Sequence, residues 1–286
     1  MSTTGAFEAE RPRLRALAYR MLGSIADADD AVQEAWLRLA RTDAATIGNL
    51  GSWLTTVTSR ICVDLLRSRT ARREEPLDVH VPDPVVTPLV SDPEQQALMS
   101  DAVGVALLVV LDTLSPTERL AFVLHDVFAV PFEQVGAILE RSPAAAKQLA
   151  SRARSRIRAA GPGEPADPVR RQRLVDAFLA ATRDGDFDGL LAVLDPDVVL
   201  RADAGDGPLG PSRLLHGAAV VARQAHRYAG LAKYAERVSV NGAPGLVIVV
   251  DGRVRAVLAV EIRDGRIVEI DILADPVRLS QLGTTL

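Results

Sequence analysis

Leu14, Leu17, Ala18, Met21 and Leu22 recur at the three-and-four spacing of one helical face, and Gly23 follows as a C-cap. Ser24 with Asp27 three residues later reads as a capping box that opens a second helix, with Ala28, Val32, Ala35, Trp36 and Leu39 as its apolar stripe. After a loop from Arg41 to Gly51, Ser52 is the expected cap of a third helix, with Leu54, Val57, Ile61 and Leu65 inward and Thr56, Arg60, Asp64 and Arg67 outward. This pattern predicts a helical domain over residues 1–73. Pro76, Pro82, Pro84, Pro88 and Pro93 then predict an extended linker over 74–93 without regular structure.

Helical periodicity resumes near Glu94. Ser115, Pro116 and Glu118 combine an N-cap, a proline at the first helical position and a glutamate at the third. Pro131 to Leu139 reads as a short helix, Glu140 and Arg141 as a tight turn, and Ser142 with Pro143 as the start of another helix. That is a helix-turn-helix layout within a second domain over 94–160. On its last helix Ala146, Leu149, Ala153 and Ile157 share one face, and Ala144, Lys147, Gln148, Ser151, Arg154 and Arg158 share the opposite one, which suits a DNA major groove.

A second linker, 161–168, precedes a change of character over 169–286. Leu174 to Ala181 and Phe187 to Leu194 read as helices, Val198 to Ala202 as a strand, and about Leu214 to Leu231 as a helix. Ala235 to Val240, Leu246 to Val250, Val254 to Ile262 and Ile267 to Ile272 read as strands joined by Asn241-Gly242, Asp251-Gly252 and Asp264-Gly265 hairpin turns. The fold class is therefore multidomain: two all-α domains followed by an α+β cone with a curved antiparallel sheet.

Composition adds three constraints. With 286 residues, 48% apolar and 24% charged, the chain suits two or three globular domains. The richest apolar run, Val103 to Leu111, is too short to span a bilayer, and the N-terminus lacks a basic-then-apolar layout, so a cytoplasmic protein is expected. The single cysteine, Cys62, lies in an apolar run and reads as a core filler. The net charge of −4 conceals two basic clusters, one from Arg60 to Arg73 and one from Lys147 to Arg158. Asp27, Asp29, Asp30 and Glu34 form an acidic stretch that suits a protein partner better than DNA.

Residues 1–160 resemble the extracytoplasmic-function (ECF) RNA polymerase sigma factors. The segment Asp27 to Trp36 is similar to the part of sigma region 2 that docks on the polymerase β′ subunit, which implies core-polymerase contacts by Asp27, Asp29, Asp30, Gln33 and Glu34. Trp53, Thr56, Arg60, Asp64 and Arg67 fall on the helix that resembles the reader and melter of the minus-10 element, and the loop Thr42 to Gly51 resembles the one that captures a flipped base. Many members have asparagine where this chain has Arg60. Leu114 to Ala159 resembles region 4, which implies minus-35 contacts by Ala144, Lys147, Gln148, Ser151, Arg152 and Arg154. Glu140 replaces the usual turn glycine, and Leu149 stands where arginine is common.

The string Ala144 to Arg154 is similar to a sigma-J-like subgroup that carries a C-terminal SnoaL-like domain. Val81-Pro82-Asp83-Pro84 resembles its Leu-Pro-Glu-Pro linker signature, and Ala274 to Leu279 resembles its C-terminal Asn-Pro-Asp-Lys signature. Asp203 to Gly207 matches its Asp-Gly-Gly-Gly-Lys motif poorly and lacks the lysine. The resemblance implies promoter recognition with core RNA polymerase (β′ and β subunits) and promoter DNA as partners. It also implies a fused domain that modulates activity through the linker.

Two rival readings differ in class. SnoaL-like cones include acid–base enzymes, which makes Asp203, Asp206, His216, Tyr228 and Asp271 candidates for a C-terminal pocket or regulatory site; a small-molecule ligand of that domain is the alternative to catalysis. A helix-turn-helix regulator acting without polymerase would not need a second, melting module. No zinc spacing and no phosphate-binding glycine loop follows any strand, so neither metal nor nucleotide cofactor is expected, and the chain is read as no enzyme.

Overall fold

The computed structural model describes residues 3–43, 46–72, 79–89, 104–160 and 167–282; the readings that fall on Arg73, Pro76, Pro93, Glu94 and 161–166 lie outside them. The chain groups into two units that do not follow chain order. One comprises Met1–Glu75 with Val110–Ala160, the other Pro76–Val109 with Gly161–Leu286.

In the first unit, α1 (Thr3–Leu22), α2 (Ile25–Ala40) and α3 (Leu50–Arg72) pack against one another. The predicted stripe of α1, Leu14 to Leu22, is buried, and Gly23 takes the left-handed φ of 66° that ends the helix. Ser24 accepts a hydrogen bond from the Asp27 backbone, as its spacing predicts. The start of α3 departs from expectation. Asn49, not Ser52, is the cap: its Oδ1 accepts from the Ser52 N–H at 2.8 Å. Thr55, Thr58, Ser59 and Cys62 share the buried side with Leu54 and Ile61, while Val57 and Leu65 are half-buried. Burial pushes the Cys62 thiol up to about 12, which keeps it protonated and inert.

The same unit holds the C-terminal end of α4 (Val105–Asp112), then α5 (Pro116–Phe122), a π-helical turn (Val123–Val127), α6 (Phe132–Leu139) and α7 (Pro143–Ala160). The capping box at Ser115 is reciprocal: Glu118 N–H donates to Ser115 Oγ and Ser115 N–H to Glu118 Oε2. Arg119, 2% exposed, ties this group to α1. Its Nε and Nη2 donate to the Arg20 carbonyl at 3.1 and 3.0 Å, and Nη1 pairs with Asp112.

In the second unit, one sheet has the order β1-β4-β5-β6-β7-β2-β3, from β1 (Val86–Pro88), β2 (Leu194–Asp203), β3 (Arg213–His216), β4 (Ala235–Val240), β5 (Ala243–Val250), β6 (Arg253–Arg263) and β7 (Arg266–Leu273). Asn241, Asp251 and Asp264 all have φ near 50°, each followed by a positive-φ glycine. These are the mirror-image turns that the Asn-Gly and Asp-Gly pairs predict. The sheet is antiparallel except where β2 runs parallel to β7.

Two expectations are corrected. The linker is not without regular structure, because Val86–Pro88 forms the edge strand β1 on β4, and Val85 and Asn241 exchange backbone and side-chain hydrogen bonds beside it. Nor is Leu214 to Leu231 one helix. Arg213–His216 pairs with β2, and only then come α10 (Ala218–Arg227) and α11 (Ala229–Ala232). Gly217 breaks the segment at φ 89°.

Alternation along the strands gives the sheet two buried faces. Leu200, Leu246, Ile248, Ala256 and Ile270 join a core with α8 (Pro168–Asp184), α9 (Phe187–Val193) and α10. Val238, Val240, Val247, Val257 and Leu273 face the other way, into a cluster with Val81, Val105 and Leu279 of α12 (Pro276–Gln281).

Candidate functional site

The acidic residues of α2 divide into two kinds. Asp27 is ion-paired to Arg69 of α3, whose Nη1 also donates to the Leu22 carbonyl, so it fastens the bundle together. Asp29 pairs with Arg15 of α1 and Glu34 with Arg38 one turn on. Asp30 and Gln33 are exposed, and Leu37, 40% exposed, continues their face. Leu37 escaped the sequence reading because a single apolar residue beside a helical stripe gives no pattern; an outward leucine at i+4 from Gln33 was the available signal.

Trp53, Thr56, Arg60, Asp64 and Arg67 follow one side of α3; the last three are exposed and the first two half-buried. Arg60 is not free. Its Nη2 lies 3.2 Å from Glu140 Oε1 in the helix-turn-helix turn. Glu140 itself adopts φ 56°, the left-handed conformation that a glycine at this position would take without strain. The turn is tight on its other side too, since a Cβ on Gly136 would lie 2.8 Å from the Arg141 carbonyl oxygen.

On α7 the residues assigned to the minus-35 element also separate. Ala144, Lys147, Gln148 and Ser151 are exposed on one face, and Ser142 Oγ accepts from the Ala145 N–H at the helix start. Arg152 and Arg156 instead reach Glu118, and Arg154 donates to Asp126 at 2.8 Å. Burial would raise the Glu118 carboxyl, but hydrogen bonds from Ser115 and Arg152 and the charge of Arg156 hold it below its ordinary value. These arginines brace α7 against α5 and the π turn. Leu149 is half-buried and Ala150 completes the buried side.

In the second unit, three separated segments meet at one place. Val81, Pro82, Asp83 and Pro84 are all buried. Arg278 at the start of α12 donates to the Val81 carbonyl at 2.5 Å and to Asp83 at 2.9 Å through Nε. Its Nη1 donates to Asp203 Oδ2 at 2.6 Å, and that oxygen also accepts from the Val81 N–H at 3.1 Å. His80 Nδ1 lies 3.3 Å from the same carboxylate. Burial opposes ionisation of Asp203, yet the His80 and Val81 hydrogen bonds and the Arg278 charge hold its pKa below the usual value. The loop after Asp203 packs tightly on Asp275, because a Cβ on Gly205 would lie 2.6 Å from Asp275 Oδ2.

A cavity of about 130 Å³ opens on the other face of the same sheet, walled by β2, β5, β6 and β7 with α8, α10 and α11. Of the five residues put forward for a C-terminal pocket, it brings in only Tyr228. Asp203 points to the linker. Asp271, between the wall residues Ile270 and Ile272, points to the opposite face, where it pairs with Arg201 beside Glu269. That alternation was readable in the sequence and was overlooked. His216 and Asp206 are exposed and outside the lining. Among the described residues, no carboxylate or imidazole lines the cavity. Among the described residues no cluster of His, Cys, Asp and Glu is arranged for a metal, and no helix is long and apolar enough to cross a membrane.

These features have known counterparts. The Sigma-70 region 2 family model matches residues 6–72, and the Sigma-70, region 4 model matches 104–157. Together they define a sigma-type transcription initiation protein, with a promoter-binding helix-turn-helix in region 4. The chain is 40% identical over 286 residues to the ECF RNA polymerase sigma factor SigJ of Mycobacterium tuberculosis, covering 94% of this chain and 91% of that one. It is 35% identical over 288 residues to the probable ECF RNA polymerase sigma factor SigI of the same species, covering 99% and 97%. The crystal structure of M. tuberculosis SigJ superposes with a TM-score of 0.75 at 37% identity, over 97% of this chain and 98% of that one. The chain belongs to the ECF RNA polymerase sigma factors, and its α+β domain is part of the shared architecture.

Proposed function

We propose that this sigma factor docks on core RNA polymerase through the exposed face of α2, Asp30, Gln33 and Leu37, with Glu34 at its edge. It reads the minus-10 element with α3 through Trp53, Thr56, Arg60, Asp64 and Arg67, and the minus-35 element with Ala144, Lys147, Gln148 and Ser151 of α7. Phosphate attraction comes from the basic side chains, and base discrimination from the polar groups between them. The C-terminal domain modulates this activity by holding the linker that joins the two DNA-reading segments in sequence.

The observation that carries the modulatory part is the linker's attachment. Residues 81–84 are buried, Val81 is bound by Arg278 and Asp203 and Asp83 by Arg278, and residues 86–88 join the sheet as a strand. A domain so engaged controls how freely the linker moves. Run-off transcription with purified core enzyme tests both parts: the full chain should yield promoter-dependent product, and truncation after Ala160 should change the yield. No product together with no core binding would sink the sigma reading, and identical activity at all lengths would sink the modulatory one.

A further inference from the structure

We infer that the arginine-bearing end of α8 in the C-terminal domain is a phosphate-contacting surface for the DNA duplex beside the minus-35 element; this rests on the reading of α7 as the helix that binds that element. Arg170 and Arg173 lie three positions apart on the exposed side of α8, and Arg171 is half-buried beside them, its Nε without a hydrogen-bond partner. The β6–β7 turn brings a fourth cation to the same end. A Cβ on Gly265 would collide with Arg170 Nη2, so the Arg170 side chain lies over that turn, next to the exposed Arg266.

Among the described residues no carboxylate pairs with Arg170, Arg171 or Arg173. Of the acids within four positions of the cluster, Asp167 caps the helix by accepting the Val169 N–H at 3.1 Å, Asp176 pairs with Arg237, Glu269 pairs with Arg201, and Asp264 is exposed in the turn. The cluster keeps an excess of positive charge. Folding alone does not favour it: the first turn of α8 contains no acid, and Arg170 and Arg171 stand where the helix dipole disfavours cations. The exposed acids gather past the other end of the helix, at Asp184, Asp186 and Asp188. Charges set against a local rule are expected where a function uses them, and exposed guanidinium groups suit the phosphates of a duplex.

Chain connectivity selects which duplex. Seven residue steps separate Ala160, the end of α7, from Asp167, and they span at most about 25 Å when fully extended, less than one DNA turn of about 34 Å. With α7 seated in the major groove, the arginines are tethered within reach of the adjoining phosphates whatever the arrangement of the two units. Such a tether sets an effective concentration of about a millimolar, which exceeds the roughly 0.1 mM or tighter constants of non-specific phosphate binding.

Holoenzyme assembled from core polymerase and the full chain tests this by salt titration of promoter binding and by hydroxyl-radical footprinting. Arg170→Gln with Arg173→Gln should reduce the salt slope by about 2, weaken binding about tenfold, and remove protection beside the minus-35 element while protection of the element itself persists. Arg170→Lys with Arg173→Lys should restore the slope. Arg223→Gln with Arg227→Gln, the same change of charge at exposed positions of α10, should match the parent in slope and footprint. An unchanged slope in the α8 glutamine pair, or an equal fall in the α10 pair, overturns the inference. So does a lower melting temperature in the α8 glutamine pair, which would mark its arginines as structural, or a loss of core affinity with DNA binding intact, which would make the partner a protein. A parent holoenzyme that binds no promoter overturns the reading of α7 itself, and this inference with it.

Discussion

Arg278 Nη1 donates to Asp203 Oδ2 at 2.6 Å across 75 positions of sequence, and through the same guanidinium the C-terminal helix holds the Val81 carbonyl and the Asp83 carboxylate. The subgroup's usual motif has a lysine after its glycines, which this chain lacks. Here the positive charge beside Asp203 comes from α12. Arg278→Ala should leave two carboxylates facing each other with little solvent access, at a cost of about 3 kcal/mol. Hydrogen exchange across residues 81–88 should accelerate in that variant, and unchanged protection would show that the linker is held by its apolar contacts alone.

Asp271 makes the stability of the C-terminal domain depend on pH. Burial and the neighbouring Glu269 push its carboxyl from 3.8 up to about 7, against the opposing pull of Arg201. Between those values the folded chain holds a proton that the unfolded chain has released, so this group's stabilisation is present below 3.8 and is lost as pH rises through about 7. Urea melts of Asp271→Asn should show a flatter dependence over that interval than the parent. An equal slope in both proteins would assign the dependence to other groups.

The turn at Glu140 contains removable strain. Glu140→Gly should stabilise the first unit by about 0.5–1 kcal/mol, since glycine takes a positive φ without penalty. The Arg60 pair lost in exchange is 49% and 79% exposed and offsets only a little of that gain. A lower melting temperature would show that the pair outweighs the strain.

Promoter binding should separate the exposed face of α7 from its bracing arginines. Lys147→Ala should lose discrimination at one base position and, with its charge gone, reduce the salt slope by about 1. Gln148→Ala should lose about 1–3 kcal/mol at one base position only. Arg154→Ala should act through the packing of α7 on Asp126, lowering thermal stability along with affinity. Footprinting and salt titration of the initiation complex distinguish the three.

On α2, Leu37→Ser and Asp30→Lys should each weaken core binding about tenfold in a pull-down titration. Asp27→Asn should instead lower the melting temperature, because its partner is Arg69 within the bundle. Full core affinity in the first two variants would remove α2 from the docking surface.

Local order was legible in the sequence because its causes are short-range. Gly23 and Ser24, the Ser115–Glu118 box, and the Asn241, Asp251 and Asp264 turns each depend on residues within a few positions, and the helical and strand periodicities follow the same logic. The identity of the α3 cap was missed for a related reason: Asn49 and Ser52 are both competent caps, and only the position of the first helical turn chooses between them.

The sequence by itself determined the class of each domain, the outward faces of α3 and α7, and the family those faces belong to. Only the tertiary structure decided that the linker supplies a strand, that Asp203 and Arg278 bind the linker, and that Arg152, Arg154 and Asp27 are engaged within the fold. These outcomes rest on pairings between segments tens to hundreds of residues apart. A proline-rich stretch has no periodicity to announce its partner, and a charged side chain carries no local mark of whether its counter-ion belongs to the same chain or to another molecule.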